Sequence, residues 1–391
     1  MMSTLLSFTS TLKYIGYIFI AVLVLLLMVL IHELGHYIAG KILKFKINEF
    51  SVGFGPKILQ KKKKNGELIS LRAIPLGGYC AFEGETEDGN STPEAFHNQA
   101  PWKRLIVLFS GAFFNFLSAI IFSFILLMAN GYDLVQVKDV NPSSVNYQIL
   151  QQGDVIYGVN DKEIDFVSDD NISSLITEYC QEHYSNYIGE DLTSNYSFKN
   201  DEGKTFYIKT QTIPLNIQRD DEKIEKIANV QLIYNESGEY AGWSLLNTEK
   251  ETNELVVGNY KYSFGESLIE CVPFTFKWAW KVLVIFSQLI TGQLSITALT
   301  GPVGTVNMIA NFTQQSASFL LVLLPLIAVN LAVFNLLPIP ALDGFQMIFT
   351  TIEWVRKKPI NQNVVNAINN IGLLVLLGFV IIVDVLHIFI W

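Results

Sequence analysis

The chain has 391 residues, half of them apolar and only 16% charged, with a formal net charge of −9. That balance excludes an intrinsically disordered chain and sits poorly with an ordinary water-soluble one. Most of the negative charge belongs to one segment, so it points to no nucleic-acid partner. Cys80, Cys180 and Cys271 fall in three separate segments and define neither a disulfide framework nor a cysteine metal site.

The first element is an apolar run over residues 14–31 that carries no charge. It is long enough for roughly 27 Å of helix at about 1.5 Å per residue. A cleaved signal peptide is the competing reading, disfavoured by the length of the run and by the lack of a small-residue cleavage pattern after it. Comparable runs cover residues 105–129, 319–337 and 371–391, the last interrupted by Asp384 and His387. The expected architecture is a polytopic α-helical membrane protein with about four transmembrane helices. A weaker stretch, residues 272–290, carries Lys277 and Lys281 among aromatic residues. It reads as an amphipathic interfacial helix, with membrane insertion as the alternative.

Charge sets the expected orientation. Residues 41–104 hold eleven Lys and Arg, including the run 61–64, against seven Asp and Glu. Residues 131–260 hold nine basic against twenty-three acidic side chains. Short basic loops stay in the cytoplasm. The expected order is a first transmembrane helix in residues 1–40, then a cytoplasmic, membrane-associated β region and loop in 41–103. A second transmembrane helix in 104–130 leads to an extracytoplasmic α+β domain in 131–260. An interfacial helix and loop (261–315), a third transmembrane helix (316–345), and a cytoplasmic loop with the fourth (346–391) complete it. Arg356, Lys357 and Lys358 then lie in the cytoplasm, and both termini lie outside.

Within the basic segment, residues 46–59 and 67–74 alternate imperfectly, and Asn65-Gly66 between them signals a type I′ β-hairpin. Gly53-Phe54-Gly55-Pro56 and Pro75-Leu76-Gly77-Gly78-Tyr79 allow tight or membrane-hugging backbone, and residues 83–98 read as a polar loop. In the acidic segment, Leu150-Gln151-Gln152-Gly153-Asp154-Val155-Ile156-Tyr157-Gly158-Val159-Asn160 reads as a turn, a buried strand and another turn. It resembles the Gly-Asp-x-Ile-x-x-Val-Asn core of PDZ domains, with a generic β-hairpin as the alternative. There is room for one such module and an insertion around residues 168–200. The Asn-x-Ser/Thr triplets at Asn171, Asn195 and Asn235 are what chance gives at this Asn content.

The chemistry concentrates at the end of the first apolar run, in His32-Glu33-Leu34-Gly35-His36. Histidines four residues apart share one helix face and can share a Zn²⁺. Glu33 beside them can take a proton from water. A packed histidine pair is the alternative, but ionisable groups near membrane depth cost roughly 2.5 kcal/mol or more unless partnered. A catalytic zinc site needs a third protein ligand. His97 and His183 read as solvated, and His387 ends the last run on the opposite side. Asn335-Leu336-Leu337-Pro338-Ile339-Pro340-Ala341-Leu342-Asp343-Gly344 closes the third run. Its prolines lack N–H groups and should unwind the helix, which membrane depth tolerates where the backbone is buried or lines a wet cavity. Asp343 can be the third ligand there; a helix-capping Asp at the interface is the alternative.

Together these two motifs resemble the signatures of the site-2 protease family. A single PDZ-like module between the second and third spans resembles its bacterial branch. The likeness includes Phe50-Ser51-Val52-Gly53-Phe54-Gly55-Pro56 and Pro75-Leu76-Gly77-Gly78-Tyr79. It implies an intramembrane zinc metalloprotease of the bacterial inner membrane, with Zn²⁺ on His32, His36 and Asp343, and Glu33 as catalytic base. It implies Asn335 as a residue that holds substrate. Asn115 reads as interhelical glue beside Gly111, with substrate contact as the alternative. The implied substrates are single-span membrane proteins, such as anti-sigma factors or signal-peptide remnants, cut after an upstream site-1 protease has acted. Their transmembrane segments would enter from the lipid bilayer, and the active site would lie toward the cytoplasm. Two departures stand out: Phe345 follows Gly344 where many members have a second Gly, and Gly111-Ala112-Phe113-Phe114-Asn115 lacks a Pro after its Gly. Gly301-Pro302-Val303-Gly304 resembles a family turn.

Two rival classes are an idle scaffold that binds membrane proteins through its outer domain, and a transporter using His, Glu and Asp as a proton or metal path. The first leaves Glu33 without a purpose, and the second lacks an inverted repeat.

Overall fold

The computed structural model describes residues 2–84, 92–132, 134–164, 171–184, 197–199, 203–220, 222–244, 246–247, 252–253, 255–295 and 299–389. Parts of the expected 83–98 loop and of the 168–200 insertion, and Asn195, lie outside these residues. The chain begins with α1 (Met2–Ile42), β1 (Ile47–Lys62), β2 (Leu68–Phe82), a short 3-10 turn (Phe96–Asn98) and α2 (Pro101–Ala129). There follow β3 (Val135–Val140), β4 (Val155–Val159), β5 (Lys162–Glu163), α3 (Ile172–Tyr184), β6 (Ser197–Lys199), β7 (Thr205–Arg219) and β8 (Glu222–Tyr234). Next come β9 (Tyr240–Ser244), β10 (Leu246–Asn247), β11 (Thr252–Asn253) and β12 (Leu255–Asn259). The chain closes with α4 (Phe264–Ile290), α5 (Pro302–Gln315), α6 (Phe319–Leu336), α7 (Asp343–Arg356) and α8 (Gln362–Phe389). It divides into two compact units, one of Met1–Ile125 with Ile269–Trp391 and one of Leu126–Leu268.

Among the described residues, four helices are long and apolar enough to cross a membrane: Lys13–Ile42, Pro101–Ala129, Phe319–Leu336 and Val364–Leu386. Helix α4, the expected interfacial element, is not among them. The packing of α2 shows why these helices suit lipid. Trp102, Ile106, Phe109, Phe113, Leu117 and Ile121 recur at three- and four-residue steps and are exposed, while Ser110, Asn115, Ser118 and Ser123 are buried. That is the reverse of a helix in water, and it places small and polar groups at the helix contacts. Close approach of α1 and α2 depends on Gly35: a Cβ there would lie 2.4 Å from the Ser110 carbonyl oxygen. The core of this unit is built from Ala21 and Met28 of α1, Ala119 of α2, Ile309 of α5 and Ala328 and Val329 of α6.

Strands β1 and β2 form the expected hairpin, with one difference. Lys63 N–H bonds the Glu67 carbonyl at 2.8 Å and Gly66 N–H the Lys63 carbonyl at 3.0 Å, and Gly66 has φ 89°. Asn65 keeps a negative φ, so the turn is not type I′, which needs positive φ at both central residues. The Pro75–Tyr79 segment, read as tight or membrane-hugging backbone, lies within β2, with Gly77 at φ 144°. Residues 68–71 pair with 59–62 across the hairpin and again with 49–52, whose other side pairs with 78–81. The hairpin is pinned to the end of α1 through Glu67, only 1% exposed. Its carboxylate accepts from Tyr37 Oη at 2.8 Å, Lys63 Nζ and Asn65 Nδ2 at 3.1 Å, and pairs with Lys41.

Two helices escaped the sequence pattern. Helix α5 occupies part of the expected 261–315 loop, opened by Gly301 as N-cap and Pro302 in its first turn. Asp384, the charge that interrupts the last apolar run, caps it: Val303 N–H donates to Oδ2 at 3.2 Å and Gly304 N–H to Oδ1 at 3.1 Å. Helix α7 occupies the start of the expected 346–391 loop.

The second unit is a sheet of order β12-β3-β4-β7-β8-β9, with β5 paired to β4 and β6 to β7. The expected turn, buried strand and turn are present: Gly153 has φ 101°, β4 is almost wholly buried, and Asn160 turns the chain into β5 with φ 51°. Asp154 accepts both Arg219 Nε at 2.7 Å and Arg219 Nη2 at 2.6 Å, tying the turn before β4 to the end of β7. Leu175, Ile176 and Cys180 of α3 pack on the same core as Ile213, Ile217 and Leu232.

Candidate metal centre

Helix α1 runs unbroken through its motif, so His32 and His36 project from one face a turn apart. Both are buried, and their Nε2 atoms lie 3.1 Å apart. Helix α6 ends at Leu336, and the chain stays non-helical until Asp343 starts α7, as the prolines require. Ala341 takes φ 75° in this stretch, and its N–H donates to Asn369 Oδ1 at 3.3 Å. The residue in the N-cap position of α7 is Leu342, with no side-chain cap, so Asp343 is not the cap of that helix. Its carboxylate turns to the histidines instead. Asp343 Oδ2 lies 3.0 Å from His32 Nε2 and 3.3 Å from His36 Nε2.

These atoms fit a shared metal ion. His36 Nδ1 lies 2.8 Å from the Val107 carbonyl oxygen, so it carries the proton and Nε2 is left with its lone pair. A lone pair and a carboxylate oxygen do not bond each other, and Asp343 Oδ2 is buried without a hydrogen-bond partner. A cation between the three atoms resolves the conflict. Ligands about 2.0–2.1 Å from a tetrahedral Zn²⁺ stand about 3.3 Å apart, close to the three distances found. Gly111 of α2 keeps the space clear: a Cβ there would lie 2.4 Å from His36 Nε2 and 2.7 Å from His32 Nε2. His32, His36 and Asp343 are the group among the described residues able to hold a metal.

Glu33 is held beside this cluster, its carboxylate accepting the backbone N–H of Cys80 in β2. A cavity of about 530 Å³ joins Glu33, the three ligand residues, Asn115 and Asn335, with Tyr79–Phe82 of β2 along one wall. All six candidate site residues therefore meet in one place. Asn115 is 0% exposed and adjoins His32, whereas Asn335 is half-buried on α6. His183 belongs elsewhere, stacked on Tyr179 at 4.1 Å between ring centroids in the second unit. Three contributors carry no clear mark in the sequence: the Val107 carbonyl and the Cys80 N–H, which are backbone groups, and the clearance at Gly111. The one signal in the sequence for close packing here is Gly111 with Asn115, which read as interhelical glue.

The model of peptidase family M50 matches residues 20–379 of the chain. The chain belongs to peptidase family M50. Among its relatives, a protein of Clostridium perfringens is 29% identical over 374 residues, covering 94% of this chain and 97% of its own. One from Fusobacterium nucleatum is 30% identical over 370 residues, covering 94% and 96%. One from Helicobacter pylori is 29% identical over 341 residues, covering 84% and 86%. All three are provisionally named zinc metalloproteases. As a member of M50, the site-2 protease family, this chain is a zinc metalloprotease, and its apolar helices make it a multi-pass membrane protein.

Proposed function

We propose that the protein hydrolyses peptide bonds within the transmembrane segments of single-span membrane proteins, in regulated intramembrane proteolysis after a first cut by another protease. The observation that carries this reading is the convergence of ligand atoms of His32 and His36, within one helix apolar enough to span a bilayer, and of Asp343, in the chain that follows a second such helix, all within 3.3 Å of one another. In it His32, His36 and Asp343 hold the zinc, and Glu33 is the general base. A zinc ion held there would supply a Lewis acid for the scissile carbonyl and would lower the pKa of the attacking water. Glu33 takes the proton of that water and passes it to the leaving amine. The Cys80 N–H fixes the carboxylate of Glu33 for both transfers.

A helical peptide bond is shielded by its own hydrogen bonds, so the substrate must unwind to be cut. Residues 79–82 of β2 line the cavity, and in this reading an extended peptide adds to the β1–β2 sheet beside them. In this reading Asn335, which lines the same cavity, holds that peptide through its amide. The unit Leu126–Leu268 acts as a PDZ-like filter on the outer side of the bacterial inner membrane, excluding substrates with bulky ectodomains. The excess of basic residues in 41–104 supports this orientation, with both termini outside and the site toward the cytoplasm.

Reconstitution with single-span reporter substrates tests the reading. The wild type should cut them within the span and Glu33→Gln should leave them whole. Zinc flux across liposomes without any peptide cleavage would overturn it in favour of a transporter.

A further inference from the structure

Helix α2 contributes no metal ligand, yet three of its residues on one face address the ligand cluster. Val107, Gly111 and Asn115 follow one another at four-residue steps, about one turn each. The Val107 carbonyl accepts His36 Nδ1–H at 2.8 Å, Gly111 leaves room for both Nε2 atoms, and Asn115 adjoins His32 Nδ1 at 3.4 Å. The contact at Asn115 pairs its Nδ2 with that ring nitrogen, while its Oδ1 is buried with no hydrogen-bond partner.

That orientation fixes a tautomer. If Nδ2 donates to His32 Nδ1, the ring proton must sit on Nε2, the atom 3.0 Å from Asp343 Oδ2. A protonated Nε2 cannot bind a metal. A half-turn of the amide exchanges its oxygen and nitrogen, which are nearly equivalent in shape. Oδ1 then accepts Nδ1–H, and Nε2 is left with its lone pair, as at His36. Either orientation leaves one polar atom of the amide to the cavity that Asn115 lines. Only the turned one leaves both histidines able to bind zinc.

We propose that Asn115 is a positioning residue for the metal site: its Oδ1 accepts His32 Nδ1–H and so fixes the ring and tautomer that put Nε2 on zinc. This rests on the reading of His32, His36 and Asp343 as zinc ligands. Helix α2 thereby orients both histidines of α1, one through a backbone carbonyl and one through a side-chain amide. Partners of this kind around metal-bound histidine typically alter affinity 10- to 100-fold when removed.

The test is zinc affinity, read by competition with a chelator on the full-length protein in detergent, with no substrate present. Asn115→Leu keeps the volume and loses the acceptor, so its affinity should fall about 10- to 100-fold. Asn115→Asp keeps the acceptor and should bind zinc at least as tightly as the wild type. Wild-type affinity in Asn115→Leu would overturn the proposal. So would an equal loss in both variants, since the side chain would then act through its N–H or its packing. If Asn115→Leu fails to fold, Asn115→Asp alone decides by the same criterion. A wild type that binds no zinc would instead refute the ligand assignment on which the proposal stands.

Discussion

Helix α1 brings His32, Glu33 and His36 to the site without a break, whereas the connection from α6 to α7 reaches it only by leaving the helix between residues 337 and 342. The two halves meet with their ligand atoms about equally spaced, but their positions are set in different ways. On α1 the spacing of the helix itself sets the histidines relative to each other. On the other half no local repeat places Asp343, and tertiary clamps do so. Ala341 N–H is held by Asn369, and a Cβ on Gly372 would lie 2.1 Å from Pro340. Gly344 lets the start of α7 close on the end of α6, since a Cβ there would lie 2.3 Å from the Leu336 carbonyl oxygen. Arg104 of α2 pairs with Glu353 of α7 at 2.6 Å, both buried, and steadies that helix. A site that joins a rigid half to a clamped one keeps its geometry while giving the backbone room to line a cavity.

The largest effect expected is on chemistry rather than on either scaffold. Glu33→Gln should lower cleavage by about 10²- to 10⁴-fold with zinc content unchanged. A loss of zinc along with activity would move Glu33 from the proton transfers to the metal.

On the rigid half, Gly111→Ala places a methyl group 2.4 Å from His36 Nε2. The atoms it meets are the ring ends of the two histidines themselves, which would have to turn away from each other and from Asp343, and zinc affinity should drop at least about tenfold. Gly378→Ala on α8, where a Cβ meets nothing within 4 Å, is the control and should bind zinc as the wild type does. Equal affinities in all three proteins would show that the α1–α2 contact is less rigid than described.

On the clamped half the sensitive position is Ala341, a non-glycine residue at φ 75°. Ala341→Val puts a β-branched side chain in a conformation it rarely takes and should cost about 1–3 kcal/mol of stability. Ala341→Gly should cost nothing measurable, because relief of strain and the added freedom of the unfolded chain oppose each other. Denaturation midpoints of the three proteins compare the two, and an unchanged midpoint for Ala341→Val would contradict the clamped backbone.

The smallest effect is a pH dependence at the hairpin. Burial alone would raise the Glu67 pKa, but hydrogen bonds from Lys41, Asn65, Tyr37 and Lys63 outweigh it and hold the carboxyl at about 2, against an ordinary 4.5. A folded-state value below the unfolded one means that the stabilisation is complete above pH 4.5 and fades as pH falls toward about 2. Hydrogen exchange in β1 and β2 should therefore quicken on acidification in the wild type beyond its intrinsic change. Glu67→Gln should show little of that extra response.

Much of this contrast was legible in the sequence. Four apolar runs mark helices that can span a membrane, the four-residue spacing of His32 and His36 gives a shared face, and Pro338 and Pro340 mark the break. The turn before β4 and the strand itself also follow from local chemistry. What escaped depends on tertiary partners. Helix α5 begins where Asp384, eighty residues on, caps it, and helix α7 lay hidden because its polar positions read as a loop after the third span. The type of the Asn65-Gly66 turn was misread, since the dipeptide permits two positive φ angles and the register takes only one. The Val107 carbonyl and the Cys80 N–H leave no mark in a sequence at all, because every residue carries them.

The central claim is that the rigid half and the clamped half jointly hold one zinc ion. Elemental analysis of the purified full-length protein, after dialysis against a weak chelator, measures it most directly. The account predicts one zinc per wild-type chain and loss of that zinc in both His36→Ala and Asp343→Ala, with each variant still folded by circular dichroism. A folded Asp343→Ala protein that keeps its zinc would contradict it, for the broken segment would then contribute no ligand.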